Sequence, residues 1–364
     1  MRIWIAGGGT GGHVYPGLAV VQALAAEDID VLYIGGVGGV EERLVTRAGG
    51  RFAGVPAGGV HGLAPWRMAQ NLIKLTRGCW AAYRLGRRER PAALFATGGY
   101  ASVPVALAAW MLRAPILVYL PDIEPGLAVR FIARLAARVA VTVEDSHTCF
   151  PARKMVTTGY PVRDEFHGID RDAARAELGL EPESPVLLVM GGSRGARSIN
   201  QALSGVLEQV LELTQVVHVS GELDWPWVAE RRDRLSAELR VGYHAFPYLH
   251  EMGAAMAAAD LTVCRAGASA LGELPFFGLP AILVPYPHAW RYQRINAEWL
   301  AGRGAAVKLD DERLPEELLP TVRRLLDNRP ALAEMSERMQ ALARPDAAAQ
   351  LAEELGSLAR GCST

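Results

Sequence analysis

One local pattern occurs twice in this chain, and few folds accommodate it. Apolar Ile3-Trp4-Ile5-Ala6 runs into Gly7-Gly8-Gly9-Thr10-Gly11-Gly12-His13, after which Val14, Leu18, Val21, Leu24 and Ala25 recur at helical spacing. In the second half Val186-Leu187-Leu188-Val189-Met190 leads into Gly191-Gly192-Ser193-Arg194-Gly195-Ala196-Arg197, and Ile199, Leu203, Val206 and Leu207 then share one side of a helix. Both stretches read as strand, glycine loop, helix. Short apolar strands separated by helices continue through 31–34, 94–96, 116–120, 139–143, 261–263 and 281–284. Strands that are apolar on both faces belong in parallel sheets covered by helices on both sides, so the expected class is α/β with two Rossmann-like domains.

A chain of 364 residues matches two domains at about 150 residues each. The expected joint is Thr158-Gly159-Tyr160-Pro161-Val162-Arg163, where Gly and Pro interrupt the periodicity before a helix from about Asp172. This divides the chain into 1–160 and 161–344. Ligands of open α/β sheets bind at the carboxyl ends of the strands, so two facing domains are expected to hold their glycine loops on one cleft. Lys plus Arg number 38 against 39 Asp plus Glu, which removes the overall electrostatic reason to expect nucleic acid as a partner. Cys79, Cys149, Cys264 and Cys362 lie far apart with no C-x-x-C pair, so neither a zinc knuckle nor a disulfide framework is expected, and a reducing cytosol fits. The apolar run at Met1-Arg2-Ile3-Trp4-Ile5-Ala6-Gly7 is too short for a signal peptide, so export is not expected. The most apolar region, 100–120, is broken by Pro104, Arg113 and Pro115 and reads as a buried helix followed by a buried strand, not as a membrane span.

Gly7-x-Gly9-x-x-Gly12 formally matches the dinucleotide fingerprint. That reading also needs an acidic residue at the end of the second strand, yet Val31-Leu32-Tyr33-Ile34 ends in Gly35-Gly36. The same glycines can simply make a tight turn. His13 falls in the first helical turn, where backbone N–H groups and the helix dipole disfavour its protonated form and leave it available as a base; a histidine there also serves as a cap or packing residue. Gly191-Gly192-Ser193-Arg194-Gly195 offers consecutive N–H groups, a hydroxyl and positive charge, a combination suited to a diphosphate. Arg194 and Arg197 read equally as a solvated helix start. No Asp-x-Asp at a strand end and no H-E-x-x-H accompanies these loops, so no metal is expected. A third strand end reads Val263-Cys264-Arg265-Ala266-Gly267-Ala268-Ser269-Ala270-Leu271-Gly272-Glu273. A helix beginning there puts Glu273 one to two turns inside, on the side of Ala266 and Ser269 or Ala270, where its carboxylate can accept bonds from vicinal hydroxyls or lie at the surface. Tyr292, Gln293 and Asn296 follow Pro285-Tyr286-Pro287-His288; their amides can read sugar hydroxyls or cap the next helix.

Together these strings resemble the bacterial UDP-N-acetylglucosamine transferases of peptidoglycan synthesis, the MurG family (glycosyltransferase family 28). The carrying motifs are Gly8-Gly9-Thr10-Gly11-Gly12-His13-Val14-Tyr15-Pro16-Gly17-Leu18-Ala19, Gly98-Gly99-Tyr100, Gly159-Tyr160-Pro161-Val162-Arg163, Gly191-Gly192-Ser193-Arg194-Gly195-Ala196, the 265–273 segment and 285–297. The resemblance implies a GT-B fold, a donor held mainly by the C-terminal domain, a C-terminal helix at about 345–360 returning to the first domain, and a metal-independent inverting transfer without a cofactor. The implied substrates are UDP-GlcNAc and lipid I, the undecaprenyl-linked MurNAc-pentapeptide, with lipid II as the product of this cell-wall step. It implies Arg163, Gly192 and Ser193 near the donor diphosphate, Glu273 on the ribose, Ala268 with Ser269 and Ala270 against uracil and phosphates, and Gln293 on the GlcNAc hydroxyls. Thr10, Gly11, Gly12, Arg265 and Asn296 complete the implied substrate contacts, and His13 and Tyr100 fall on the acceptor side.

The family commonly has His-Glu-Gln-Asn before Gly-Leu-Thr-Asn; this chain reads Tyr119-Leu120-Pro121-Asp122-Ile123-Glu124-Pro125-Gly126-Leu127-Ala128-Val129, and Tyr292 replaces the first of the usual Gln-Gln pair. His13 is therefore the first candidate for the general base and Asp122 the second. A polyprenyl acceptor implies work at the cytoplasmic face of a membrane. Trp66, Leu72, Ile73 and Trp80 mixed with Lys74, Arg77, Arg84, Arg87 and Arg88 suit an interfacial patch, and equally a helix packed on its own sheet. Rival readings are a UDP-GlcNAc 2-epimerase, a related GT-B enzyme with another acceptor, or a nucleotide-sugar-binding protein without turnover.

Overall fold

The computed structural model describes residues 1–8, 11–25, 29–58, 65–192, 195–288 and 291–361, with the side chains of 65 and 67–69 outside the description. Its contacts divide the chain into two units, Met1–Asp164 with Arg344–Thr364, and Glu165–Ala343. Residues 161–164, assigned by sequence to the second domain, fall in the first unit.

In unit 1 the apolar runs become β1 (Arg2–Gly7), β2 (Asp30–Gly36), β3 (Arg51–Val55), β4 (Ala93–Gly98), β5 (Ile116–Leu120), β6 (Arg138–Val141) and β7 (Met155–Thr157). All pairings are parallel, in the order β3-β2-β1-β4-β5-β6-β7. The order reverses at β1 and β4, which opens a crevice at their carboxyl ends. The covering helices are α1 (Gly11–Ala25), α2 (Val40–Arg47), α3 (Pro65–Glu89), α4 (Ser102–Met111) and α5 (Leu127–Leu135). Trp4, Leu94, Ile116, Val118 and Ile132 form the centre of the core. The 100–120 region is a helix followed by a fully buried strand, as its proline and arginine breaks predict.

Unit 2 repeats the plan with β8 (Val186–Met190), β9 (Gln215–Val219), β10 (Tyr243–Phe246), β11 (Leu261–Cys264), β12 (Ala281–Leu283) and β13 (Ala306–Lys308), ordered β10-β9-β8-β11-β12-β13 and also parallel. Its helices are α6 (Arg171–Glu177), α7 (Arg197–Gly205), α8 (Leu207–Leu211), α9 (Trp225–Asp233), α10 (Ala237–Val241), α11 (Met252–Ala258), α12 (Glu273–Phe277), α13 (Tyr292–Gly302), α14 (Leu314–Asp327) and α15 (Arg329–Gln340). The helix expected through 199–207 is broken at Val206, because Gly205 before it is a poor helix former. A separate core gathers Leu187, Val189, Leu203, Val263 and Ile282. The last helix, α16 (Ala347–Gly361), belongs to unit 1: it buries Ala347, Leu351, Leu355 and Ala359 and packs on α1, β4 and β5.

Candidate functional site

In unit 1 the carboxyl ends of β1 and β4 build the surroundings of His13. The register shifts between Ala6 and Gly7: Ala6 pairs with Ala96, and Gly7 pairs with Gly98, so Thr97 has no partner across the ladder. Such a local irregularity re-aims a side chain. Thr97 Oγ1 donates to His13 O at 2.6 Å, and Thr97 O lies 2.8 Å from His13 Nδ1. A carbonyl only accepts, so Nδ1 carries the hydrogen, and in the neutral ring the lone pair sits on Nε2. The β4–α4 turn closes in because its glycines allow it: a Cβ on Gly99, which has φ of +79°, would collide with Gly8 O. Tyr100 follows, 41% exposed. Thr10 lies outside the described residues; Gly11 and Gly12 open α1.

Sequence reasoning missed two residues here, Thr97 and Glu41. Glu41 in the first turn of α2 is fully buried, and its Oε1 accepts from Gly36 N at 2.8 Å. Gly35 and Gly36, where a dinucleotide-binding strand would end in an acid, leave room for this carboxylate to fold back under the glycine loop, and a Cβ on Gly8 would strike it. The one available signal is two acidic residues, Glu41 and Glu42, directly after a glycine-rich strand end.

The divergent segment divides by burial. Tyr119, standing where the family commonly has His, is fully buried, its hydroxyl 2.8 Å from Thr142 Oγ1 and 3.1 Å from Gly159 O, and burial raises its pKa far above the ordinary phenol value. It is a core residue. Asp122, half-buried in the loop after β5, is where a carboxylate stands instead. Arg163 lies in unit 1, its guanidinium 5.1 Å from the Tyr15 ring centre.

In unit 2 the loops after β8 and β11 stand at the corresponding switch point. Gly195 N donates to Gly192 O at 2.9 Å, closing the loop end before α7; Ser193 and Arg194 lie outside the described residues. The stretch expected to be one helix around Glu273 is instead a 3₁₀ turn, Ala268–Leu271, a break at Gly272, and α12 beginning at Glu273. Gly272 disfavours helix, and Pro275 is tolerated only in a first turn, which fixes the start. Glu273 is thus at a helix start and 9% exposed, not one to two turns inside. Ala268 and Ser269 are half-buried, Ala270 buried. Burial, reinforced by the Glu273 charge, pushes the nearby Cys264 thiol up to about 12.

Two of the expected substrate contacts, Arg265 and Asn296, also brace the loop after β11. The Arg265 guanidinium pairs with Asp311, donates to Ser198 Oγ at 2.7 Å and Val284 O at 3.2 Å, and lies 5.2 Å from the Tyr286 ring centre. It ties the β11 loop to the ends of β12 and α7. Asn296 is fully buried, its Nδ2 donating to Ala266 O at 3.1 Å, so it holds the same loop from behind. Gln293 is half-buried, and its Oε1 accepts from Tyr286 N at 2.8 Å. Among the described residues no group of three or more His, Cys, Asp or Glu is placed to hold a metal ion.

Two doubly wound parallel sheets, each with glycine loops at its switch point, define the GT-B class of glycosyltransferases. Residues 3–141 match the glycosyltransferase family 28 N-terminal domain and residues 186–351 the family 28 C-terminal domain. The chain is 44% identical to a protein of Roseiflexus sp. (strain RS-1), covering 98% of this chain and 95% of that one, and 40% identical to one of Desulforudis audaxviator (strain MP104C), covering 99% of each. Both are named UDP-N-acetylglucosamine–N-acetylmuramyl-(pentapeptide) pyrophosphoryl-undecaprenol N-acetylglucosamine transferase. The crystal structure of Acinetobacter baumannii MurG superposes with a TM-score of 0.77 at 26% identity, covering 98% of this chain and 99% of that one. A UDP-GlcNAc 2-epimerase from Neisseria meningitidis, at 12% identity and TM-score 0.69 over 98% of this chain and 100% of that one, shares the fold. The chain belongs to glycosyltransferase family 28.

Proposed function

We propose that this enzyme transfers GlcNAc from UDP-GlcNAc to the C4 hydroxyl of the MurNAc of lipid I, giving lipid II. The substrate pair is supported by the names of relatives at 40% identity and above over nearly the whole chain. The chemistry is supported by one observation above all: Thr97 O occupies Nδ1 of His13, so that Nε2 is the ring nitrogen able to take a proton.

In this reading Nε2 of His13 removes the proton of the acceptor hydroxyl, whose oxygen attacks the anomeric carbon from the side opposite UDP. A single displacement inverts the centre. As the glycosidic bond breaks, charge develops on the departing diphosphate. N–H groups of the 191–195 loop, with Ser193, are assigned to stabilise that charge more in the transition state than in the ground state, a route that needs no metal. Glu273 is assigned to the ribose hydroxyls, the 268–270 backbone to uracil and phosphates, and Gln293 to the GlcNAc hydroxyls. Tyr100 and Asp122 belong to the acceptor side.

Action at the cytoplasmic membrane surface is proposed on the outer face of α3. No helix among the described residues is long and apolar enough to cross a membrane. The inner face of α3 is committed to the protein through Gly78, Ala82 and Gly86, which pack closely enough that a Cβ on Gly78 would strike Pro56 O and one on Gly86 would strike Leu112. The outer face presents Trp66, Leu72, Ile73 and Trp80, the last 62% exposed with the Arg84 guanidinium 4.6 Å from its ring centre. Lys74, Arg77, Arg87 and Arg88 are exposed beside them. Large apolar side chains among cations suit an anionic interface.

The deciding experiment incubates the purified protein with UDP-GlcNAc, with and without a lipid I analogue. Disaccharide formation together with UDP release only when the acceptor is present is expected; epimerisation of UDP-GlcNAc alone, or binding without turnover, would refute the reading.

A further inference from the structure

A histidine stands between Val217 and Val219 in the fully buried β9, where burial pushes its pKa down to about 4. His218 is the centre of a hydrogen-bonded chain that the catalytic reading does not use. Its Nδ1 lies 2.7 Å from Tyr243 Oη and its Nε2 3.0 Å from Asn200 Oδ1. Asn200 Nδ2 donates to Ser220 O at 2.8 Å and to Asp224 Oδ2 at 2.9 Å. Asp224 Oδ1 in turn accepts from Arg197 Nε at 2.8 Å and Nη2 at 2.7 Å. The protons have only one arrangement. Ser220 O and the Asp224 carboxylate can only accept, so the Asn200 nitrogen faces them and its oxygen faces His218. His218 therefore carries its hydrogen on Nε2, and Tyr243 donates to Nδ1. Burial works to raise the Asp224 carboxyl, but hydrogen bonds from Arg197, Asn200 and Trp227 outweigh it and hold the group below the usual carboxylate range.

Both outer ends of this chain meet the glycine loop. Gly195, with φ of +76°, sits so close on Ser220 O that a Cβ there would overlap the carbonyl. Arg197 is the first residue of α7. One buried amide thus sets the height of the carbonyl on which Gly195 rests and the carboxylate that anchors Arg197, on either side of Ala196.

We infer that Asn200 is a positioning residue for the diphosphate grip, holding the 195–197 backbone in place through Ser220 O and Asp224. This rests on the reading that the loop holds the donor diphosphate. Asn200→Ala loses both donors at once, so the loop loosens, while the 265–273 segment, assigned to uracil and ribose, keeps braces away from α7 in the Arg265 bonds to Asp311 and Val284 O and in the Asn296 bond to Ala266 O.

The test compares UDP and uridine as ligands of the full-length protein by calorimetric titration. Asn200→Ala should weaken UDP by about tenfold or more and uridine by less than about twofold, with KM for UDP-GlcNAc rising in step with the UDP loss. Should Asn200→Ala fail to fold, Asp224→Asn, which releases Arg197 and keeps the amide, should narrow the UDP-over-uridine preference in the same way. Equal weakening of UDP and uridine, or no change in either, overturns the inference. A parent protein that binds uridine as tightly as UDP would instead overturn the donor-loop reading beneath it.

Discussion

At the scale of single residues, the site depends on side chains whose roles follow from what they touch. His13 has Nδ1 occupied by Thr97 O. If Nε2 is the base, His13→Ala should lower turnover by about a hundredfold or more while leaving donor affinity nearly intact, since general-base catalysis contributes that order and the donor contacts lie elsewhere. Steady-state kinetics with a soluble acceptor checks this; a larger loss in Asp122→Asn would move the base to the divergent segment. Glu41 permits a second test. Gly8→Ala drives a methyl into its buried carboxylate, an overpacking that costs about 1–3 kcal/mol. Glu41→Ala removes the obstacle, so the double variant should be destabilised by clearly less than the sum of the two single changes. Denaturant melts of all four proteins measure the coupling, and strict additivity would show that the carboxylate does not support the loop.

Among the elements, α3 has two different faces, and a residue list could not separate them. Its small residues bury one side and leave Ile73 and Trp80 outward with a row of cations. Attraction of basic residues to anionic lipid contributes on the order of 1 kcal/mol each near the surface and is screened by salt, whereas the apolar part is not. Replacing Arg84, Arg87 and Arg88 by Gln should reduce sedimentation with anionic liposomes, with a smaller change for neutral ones, and should spare turnover of a short water-soluble acceptor. Equal liposome binding by variant and parent would make this face a solvated one. The α12 start carries the opposite lesson: Gly272 and Pro275 punctuate the sequence locally, so the chain breaks at Gly272 and Glu273 opens the helix although helical spacing runs on through both.

For the whole molecule, each unit has its own core, so calorimetry should resolve two transitions, and UDP should raise only the one belonging to unit 2, by about 2.7 kcal/mol at a hundred times its Kd. That transition should also respond to acid. The folded state depresses the pKa of His218 from 6.5 to about 4, so its contribution is fully present above about pH 6.5. Below that the unfolded chain takes up a proton that the folded one refuses. Unit 2 should therefore lose about 1.4 kcal/mol per pH unit between roughly 6.5 and 4 from this group, and His218→Gln should flatten that slope in denaturant titrations. The lowered Asp224 carboxyl adds a loss in the same direction, at lower pH, and is common to both proteins. The α/β class, the paired strand–glycine–helix motifs and the family were legible in the sequence, because apolar periodicity and glycine placement are local properties of the chain. What only the tertiary structure decided is which polar side chains brace a loop. The register shift at Thr97, the inward turn of Arg265 and Asn296, the carboxylate of Glu41 beneath Gly8 and the His218–Asn200–Asp224 chain all depend on partners 18 to 84 residues away or on backbone freed by a missing Cβ, and local spacing carries no record of either.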